Sequence, residues 1–138
     1  MDEKKIESGF KLLSVVLLES SFKREGNIDF SVRLDNQVEI NTGYNLSNNN
    51  SINCFVEVNF KSLFEGKIAA QSNIKMAGVF EKMGESEIDV DAFGKINAPA
   101  IIYPFIREHL GTLTMKSGLT PFLLPPLNFV ALSKSSVK

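Results

Sequence analysis

All five prolines of the chain lie between Pro99 and Pro126, and the segments in which apolar and polar residues alternate all precede them. Proline lacks the backbone donor that a sheet interior or a helix interior needs. The division therefore separates a sheet-forming part from a part built of helix and held-open chain. Phe10 to Phe22 is rich in Val and Leu, and Asn27 to Leu34 alternates cleanly, with Ile28, Phe30, Val32 and Leu34 on one side. Gln37 to Leu46 is a weaker strand. The polar cluster SNNNS at Ser47 to Ser51 is a turn, and beyond it Ile52, Cys54, Val56, Val58 and Phe60 alternate again within Ile52 to Leu63. Phe64, Glu65 and Gly66 then lead into Lys67 to Phe80, where Gly78 is expected to mark a bulge. Four or five antiparallel strands are the economical reading.

After the charged stretch Glu81 to Asp91 the period changes. Ala98, Ile101, Ile102, Phe105, Ile106, His109, Leu110 and Leu113 recur at spacings of three and four, which makes one wide apolar helix stripe. Asn97 is expected to cap its start, with Pro99 in the first turn and Gly118 as the stop. Pro104 should kink the helix or mark its true beginning. Strands first and helices afterwards is the α+β pattern, and 138 residues is the size of one domain, so residues 1–138 are expected to form one. The segment LTPFLLPPLNFVAL, Leu119 to Leu132, is too proline-broken to span a membrane and too apolar to be left in water.

Charge and chemistry exclude several classes. Fifteen basic and 16 acidic residues give a net charge of −1, so no field favours nucleic acid. The N-terminal MDEKKIESGF has no apolar core of a signal peptide, and no run of about 18 apolar residues occurs. A cytoplasmic protein without membrane insertion is expected. Cys54 is the sole cysteine and reads as a buried structural thiol. His109 is the sole histidine and reads as a packed, hydrogen-bonded side chain. The acidic group Glu85, Glu87, Asp89 and Asp91 reads as a solvated face, so no metal and no cofactor are expected. Phosphate-binding loops, zinc-protease and nucleophile-elbow motifs are all absent, and nothing proposes an enzyme.

One resemblance gathers these features. Asn97, Pro99, IIYPFIRE (Ile101 to Glu108), Gly118 and LLPPLNFVAL (Leu123 to Leu132) are similar to the SecB family of export chaperones, with a weaker likeness over FKLLSVVLLESSF and IKMAGVF. The resemblance implies a four-stranded antiparallel sheet followed by two helices, assembled as a dimer of dimers. It implies that Ile101, Ile102, Phe105, Ile106, His109, Leu110 and Leu113 supply the contact between dimers. It also implies that Leu119, Phe122, Leu124, Leu127, Phe129 and Leu132 line or support an apolar groove for unfolded polypeptide. Among these, Phe122 is expected to stand exposed in the loop and Phe129 to anchor it. Export members present acidic side chains on the sheet surface to the motor SecA. Glu19 keeps one such position, whereas Lys23 and Lys67 occupy others and the sequence closes KSSVK without a long acidic tail.

The expected function is that of an ATP-independent holdase, keeping preproteins competent for the Sec pathway as a homotetramer. A relative of that class, a chaperone dedicated to an antitoxin, is the alternative partner assignment. A carrier of a small apolar ligand is the alternative of another class.

Overall fold

The computed structural model describes residues 9–27, 33–47, 50–84 and 89–135. Strands β1 (Gly9–Arg24), β2 (Asp35–Ser47), β3 (Ser51–Phe64) and β4 (Lys67–Met83) form one antiparallel sheet in the order β1-β4-β3-β2. A single turn α1 (Val90–Ala92), a π-helical turn (Phe93–Asn97), the long helix α2 (Ala98–Lys116) and the short helix α3 (Phe129–Ser135) follow. The α+β expectation stands, with four strands. Of the alternating run Asn27 to Leu34, residues 28–32 lie outside the described residues, and Arg33 and Leu34 have no regular structure.

The alternation of β3 does what a half-covered strand requires. Ile52, Cys54, Val56, Val58 and Phe60 are buried under the helices, and the residues between them face the other way. Their partners on β4, which include Ile74 opposite Val58 and Phe80 opposite Ile52, continue the same buried row. Helix α2 lies across β4 and β3, with Ile102, Ile106 and Leu110 fully buried against that row. Each such side chain contributes roughly 1.5–3 kcal/mol by leaving water.

The bulges are not at Gly78, which is paired in register with Cys54 and Val15. Two lie on β1, where the register slips between Leu12 and Ser14 and again between Leu17 and Glu19, and a third shift falls between Ser62 and Leu63 of β3, where Ala69 of β4 is the extra residue. Two slips in one strand are why LLSVVLL shows no clean period. Gly78 instead serves the close approach of α2: a Cβ there would stand 3.0 Å from Ile102 Cδ1 and 3.2 Å from Phe80 Cε1.

The helical run is capped earlier than expected. Asn97 is itself helical and makes no side-chain cap, whereas Asp89 accepts from the Ala92 N–H at 3.0 Å. The π turn is closed by the Ala98 N–H bonding to the Phe93 carbonyl, and it buries Phe93 and Gly94. Gly94 lies flat under the Tyr44 ring, where a Cβ would come within 2.6 Å of the ring carbons. Pro104 sits inside α2 without ending it. The donor it lacks would have met Ala100, and both residues are on the exposed side, where water can serve the carbonyl. The stop at Gly118 is as expected. Its φ is +85°, its N–H bonds the Met115 carbonyl and the Leu119 N–H bonds the Thr114 carbonyl, a Schellman closure.

Candidate functional site

The chain between α2 and α3 runs back along the helix as an irregular strap. Side chains on one flank of α2 hold it. Thr114 Oγ1 accepts the Phe122 N–H at 2.9 Å, Arg107 Nε donates to the Leu124 carbonyl at 2.8 Å, and the Tyr103 hydroxyl donates to the Pro125 carbonyl at 2.6 Å. Leu124 is fully buried beneath the strap. Burial raises the Tyr103 phenol above its ordinary value, partly offset by the Arg107 charge, so the hydroxyl stays a proton donor.

Between this strap and strand β2 the surface is hollowed. A depression of about 220 Å³ is lined by Leu34, Asn36, Phe60, Thr114, Leu119 and Phe122, among others. Farther along β2 a second, of about 410 Å³, is lined by Ile40 to Tyr44 with Gly94, Lys95, Leu132 and Ser133. Both border β2, which among the described residues has a sheet neighbour on one side only. Two depressions thus follow one another along the outer strand, each with apolar side chains in its lining, and together they are called the trench. A third depression, of about 570 Å³, lies on the far side of the α3 start, against Phe93, Ile96, Ile101, Leu127, Phe129 and Val130.

The expected groove residues divide between these places. Leu119 and Leu132 line the trench, and Leu127 borders the third depression. Phe129 is buried, with the edge of its ring pair against Tyr103 at 5.7 Å, which fits an anchor. Leu124 is core, without exposed surface. Phe122 is half-buried rather than projecting, because its ring packs on Phe60 at 4.7 Å between centroids. The strap residue that does project is Leu123, 68% exposed. Tyr44, Ile40 and Phe60 escaped the sequence reading, since nothing along the chain shows that Phe60 borders the strap or that Ile40 and Tyr44 face Gly94 and Leu132.

The expected contact stripe on α2 divides as well. Ile102, Ile106 and Leu110 are fully buried in the chain's own core and present no surface to a second copy. Leu113 is half-buried against that core. Ile101 and Phe105 face outward, and half-buried His109 places Nε2 2.8 Å from Ser20 Oγ on β1. Alongside them, β1 exposes Leu12, Leu13, Val16, Leu17 and Leu18 at the edge of the sheet. An apolar unpaired edge of this length invites another strand.

On the face away from the helices, the register aligns Glu19 with Lys75 and Glu57, and Lys23 with Gln71 and Lys61. Among the described residues, four lysines (Lys11, Lys23, Lys61, Lys75) meet four glutamates (Glu19, Glu39, Glu57, Glu81) and Asp35 there, so the face is mixed, with one acidic residue in excess. Lys67 is exposed at the start of β4. Of the acidic group, Glu85 and Glu87 lie outside the described residues, while Asp91 pairs with Lys95 at 3.1 Å and accepts the Tyr44 hydroxyl. Among the described residues no group of three or more His, Cys, Asp or Glu could hold a metal, and no helix is long and apolar enough to cross a membrane.

Residues 16–138 match the family described as preprotein translocase subunit SecB. The chain belongs to the SecB family. Among SecB proteins, the protein-export protein SecB of Xanthomonas oryzae pv. oryzae is 29% identical over 102 residues, covering 74% of this chain and 60% of its own length. That of Saccharophagus degradans is 26% identical over 140 residues, covering 98% of this chain and 83% of its own. This chain thus spans about three fifths of the length of the Xanthomonas SecB. The fold also matches a solved SecB-like chaperone, Rv1957 of Mycobacterium tuberculosis in complex with a ChAD peptide from the HigA1 antitoxin. The TM-score is 0.74 at 17% identity, over 86% of this chain and 91% of that one.

Proposed function

We propose that this SecB-family chain is an ATP-independent holdase that takes extended segments of unfolded polypeptide into the trench along β2, keeping preproteins competent for export. The observation that carries this reading is the presence, beside an outer strand's free edge, of depressions lined by apolar side chains among polar ones. An edge offers backbone hydrogen bonds that any sequence can answer, and Phe60, Phe122, Ile40 and Leu132 offer non-directional apolar contact. Recognition of that kind selects the unfolded state rather than one sequence. The trench is open rather than vaulted, which favours a chain over a small enclosed ligand.

The assembly we propose is a homotetramer, a dimer of dimers. Exposed apolar residues on two elements support it: those at the edge of β1, and Ile101 and Phe105 of α2. An antitoxin-dedicated chaperone is the second reading. It is favoured by the lysines interspersed among the carboxylates of the outer sheet face, which weaken any acidic field there, and by the antitoxin peptide on the structurally similar Rv1957.

Light scattering from a heat-aggregating client, with Leu132→Ser beside the parent, tests the holdase reading. The parent is expected to suppress aggregation at stoichiometric amounts. The variant should need severalfold more protein, since a lost leucine forfeits up to roughly 1.5–3 kcal/mol of burial. A parent that leaves scattering unchanged, or a lipid found on the protein by native mass spectrometry, sinks it.

A further inference from the structure

The aromatic-Pro-aromatic step followed by Arg-Glu, in Tyr103 to Glu108, has so far been a mark of likeness without a task. The structure gives two of its members one. Tyr103 and Arg107 are four residues apart, one helical turn, and so share a flank of α2. From there they reach two consecutive carbonyls of the strap, those of Pro125 and Leu124. Pro125 and Pro126 have no N–H, so at this point the strap can accept hydrogen bonds but has almost none to give. It cannot be fixed by pairing as a strand. Its partly buried carbonyls need donors, and the helix provides a phenol and a guanidinium.

Resting on the holdase reading, we infer that Tyr103 and Arg107 are positioning residues for client binding: they clamp the strap as a standing wall of the trench, so that a client finds the site already shaped. Neither residue lines the trench itself. Their effect passes through the strap, whose Leu119 and Phe122 do line it. A wall that must be ordered at each encounter lowers the fraction of molecules competent to bind, which slows association and leaves dissociation of the formed complex nearly unchanged.

The test uses the full chain and a label on the strap. Leu123→Cys supplies an exposed thiol for a fluorophore, while Cys54, buried and with its thiol pushed up to about 12, stays unreacted. Anisotropy of the label is measured in the parent background and in Tyr103→Phe, Arg107→Met and Arg107→Lys. Stopped-flow binding of a fluorescein-labelled synthetic peptide rich in Leu, Phe and Ser is followed in the same four proteins without the strap label, with thermal melting and sedimentation alongside. Tyr103→Phe and Arg107→Met are expected to lower the label's anisotropy and slow association three- to tenfold. Dissociation should change less than twofold, with parental sedimentation. Arg107→Lys, which keeps a donor, should lie between Arg107→Met and the parent. Parental association rates in both disruptive variants overturn the clamp, as does slower association with unchanged strap anisotropy. A parent that binds no peptide overturns the holdase reading itself, a failure visible before any variant is compared.

Discussion

Thr114 condenses the local logic of the site. It is fully buried in α2, its hydroxyl lies 3.0 Å from the carbonyls of Leu110 and Gly111, and its oxygen takes the Phe122 N–H. A helix residue that bonds back to its own turn usually does so to hide a polar group. Here the same oxygen also starts the strap. Cys54 shows the opposite case, a group whose whole effect is to be kept from water. Burial raises its thiol from an ordinary 9.0 to about 12, because the thiolate is disfavoured there. The folded chain therefore keeps a proton that the unfolded chain gives up above pH 9. This contribution is fully present below that pH and is lost progressively as pH rises from about 9 toward 12. Urea midpoints at pH 7.5 and pH 10.5 should fall farther for the parent than for Cys54→Ala; equal falls would show that the thiol is not held neutral by the fold.

At the scale of elements, α2 decides which apolar residues belong to the chain itself. Ile106 has no exposed surface and Phe105, its neighbour, is 46% exposed. Ile106→Asp is therefore expected to unfold the chain, since a carboxylate in that core costs several kcal/mol. Phe105→Asp should leave a folded chain of parental far-ultraviolet circular dichroism whose assembly is weakened in sedimentation. A soluble, folded Ile106→Asp dimer would refute this assignment of faces. The sheet, its helix-covered face, α2 and the Gly118 stop were all legible, because each is written in spacing along the chain. What spacing cannot give is the partner across a gap. The stripe from Ala98 to Leu113 is apolar on two flanks, and only the sheet beneath shows that Ile102, Ile106 and Leu110 face inward. Phe122 read as exposed between Pro121 and Leu123, and the Phe60 ring some sixty residues away is what covers it. The bulges at Leu13 and Leu18 were hidden for a related reason: an extra residue erases the period that would have revealed the faces of β1.

For the whole molecule, the two outer strands differ in chemistry. Leu12, Leu13, Val16, Leu17 and Leu18 expose apolar surface on β1, whereas on β2 the exposed Val38 and Leu46 stand among exposed Asp35, Gln37, Glu39, Asn41 and Asn45. In the proposed assembly β1 meets a second copy of itself. Leu17→Lys should then oppose like charges across the contact and yield smaller species in sedimentation, with client-facing residues untouched. An unchanged mass would place the contact elsewhere. The difference between the strands also governs what kind of object the protein can become. A sheet whose two borders were alike in stickiness would stack head to tail, each copy offering a fresh border to the next, and would grow into a filament without end. With one adhesive border and one solvated border, like meets like about a two-fold axis and growth closes after a single step. The polar border left over faces the trench, and under the proposed function the strand it pairs with comes from another protein.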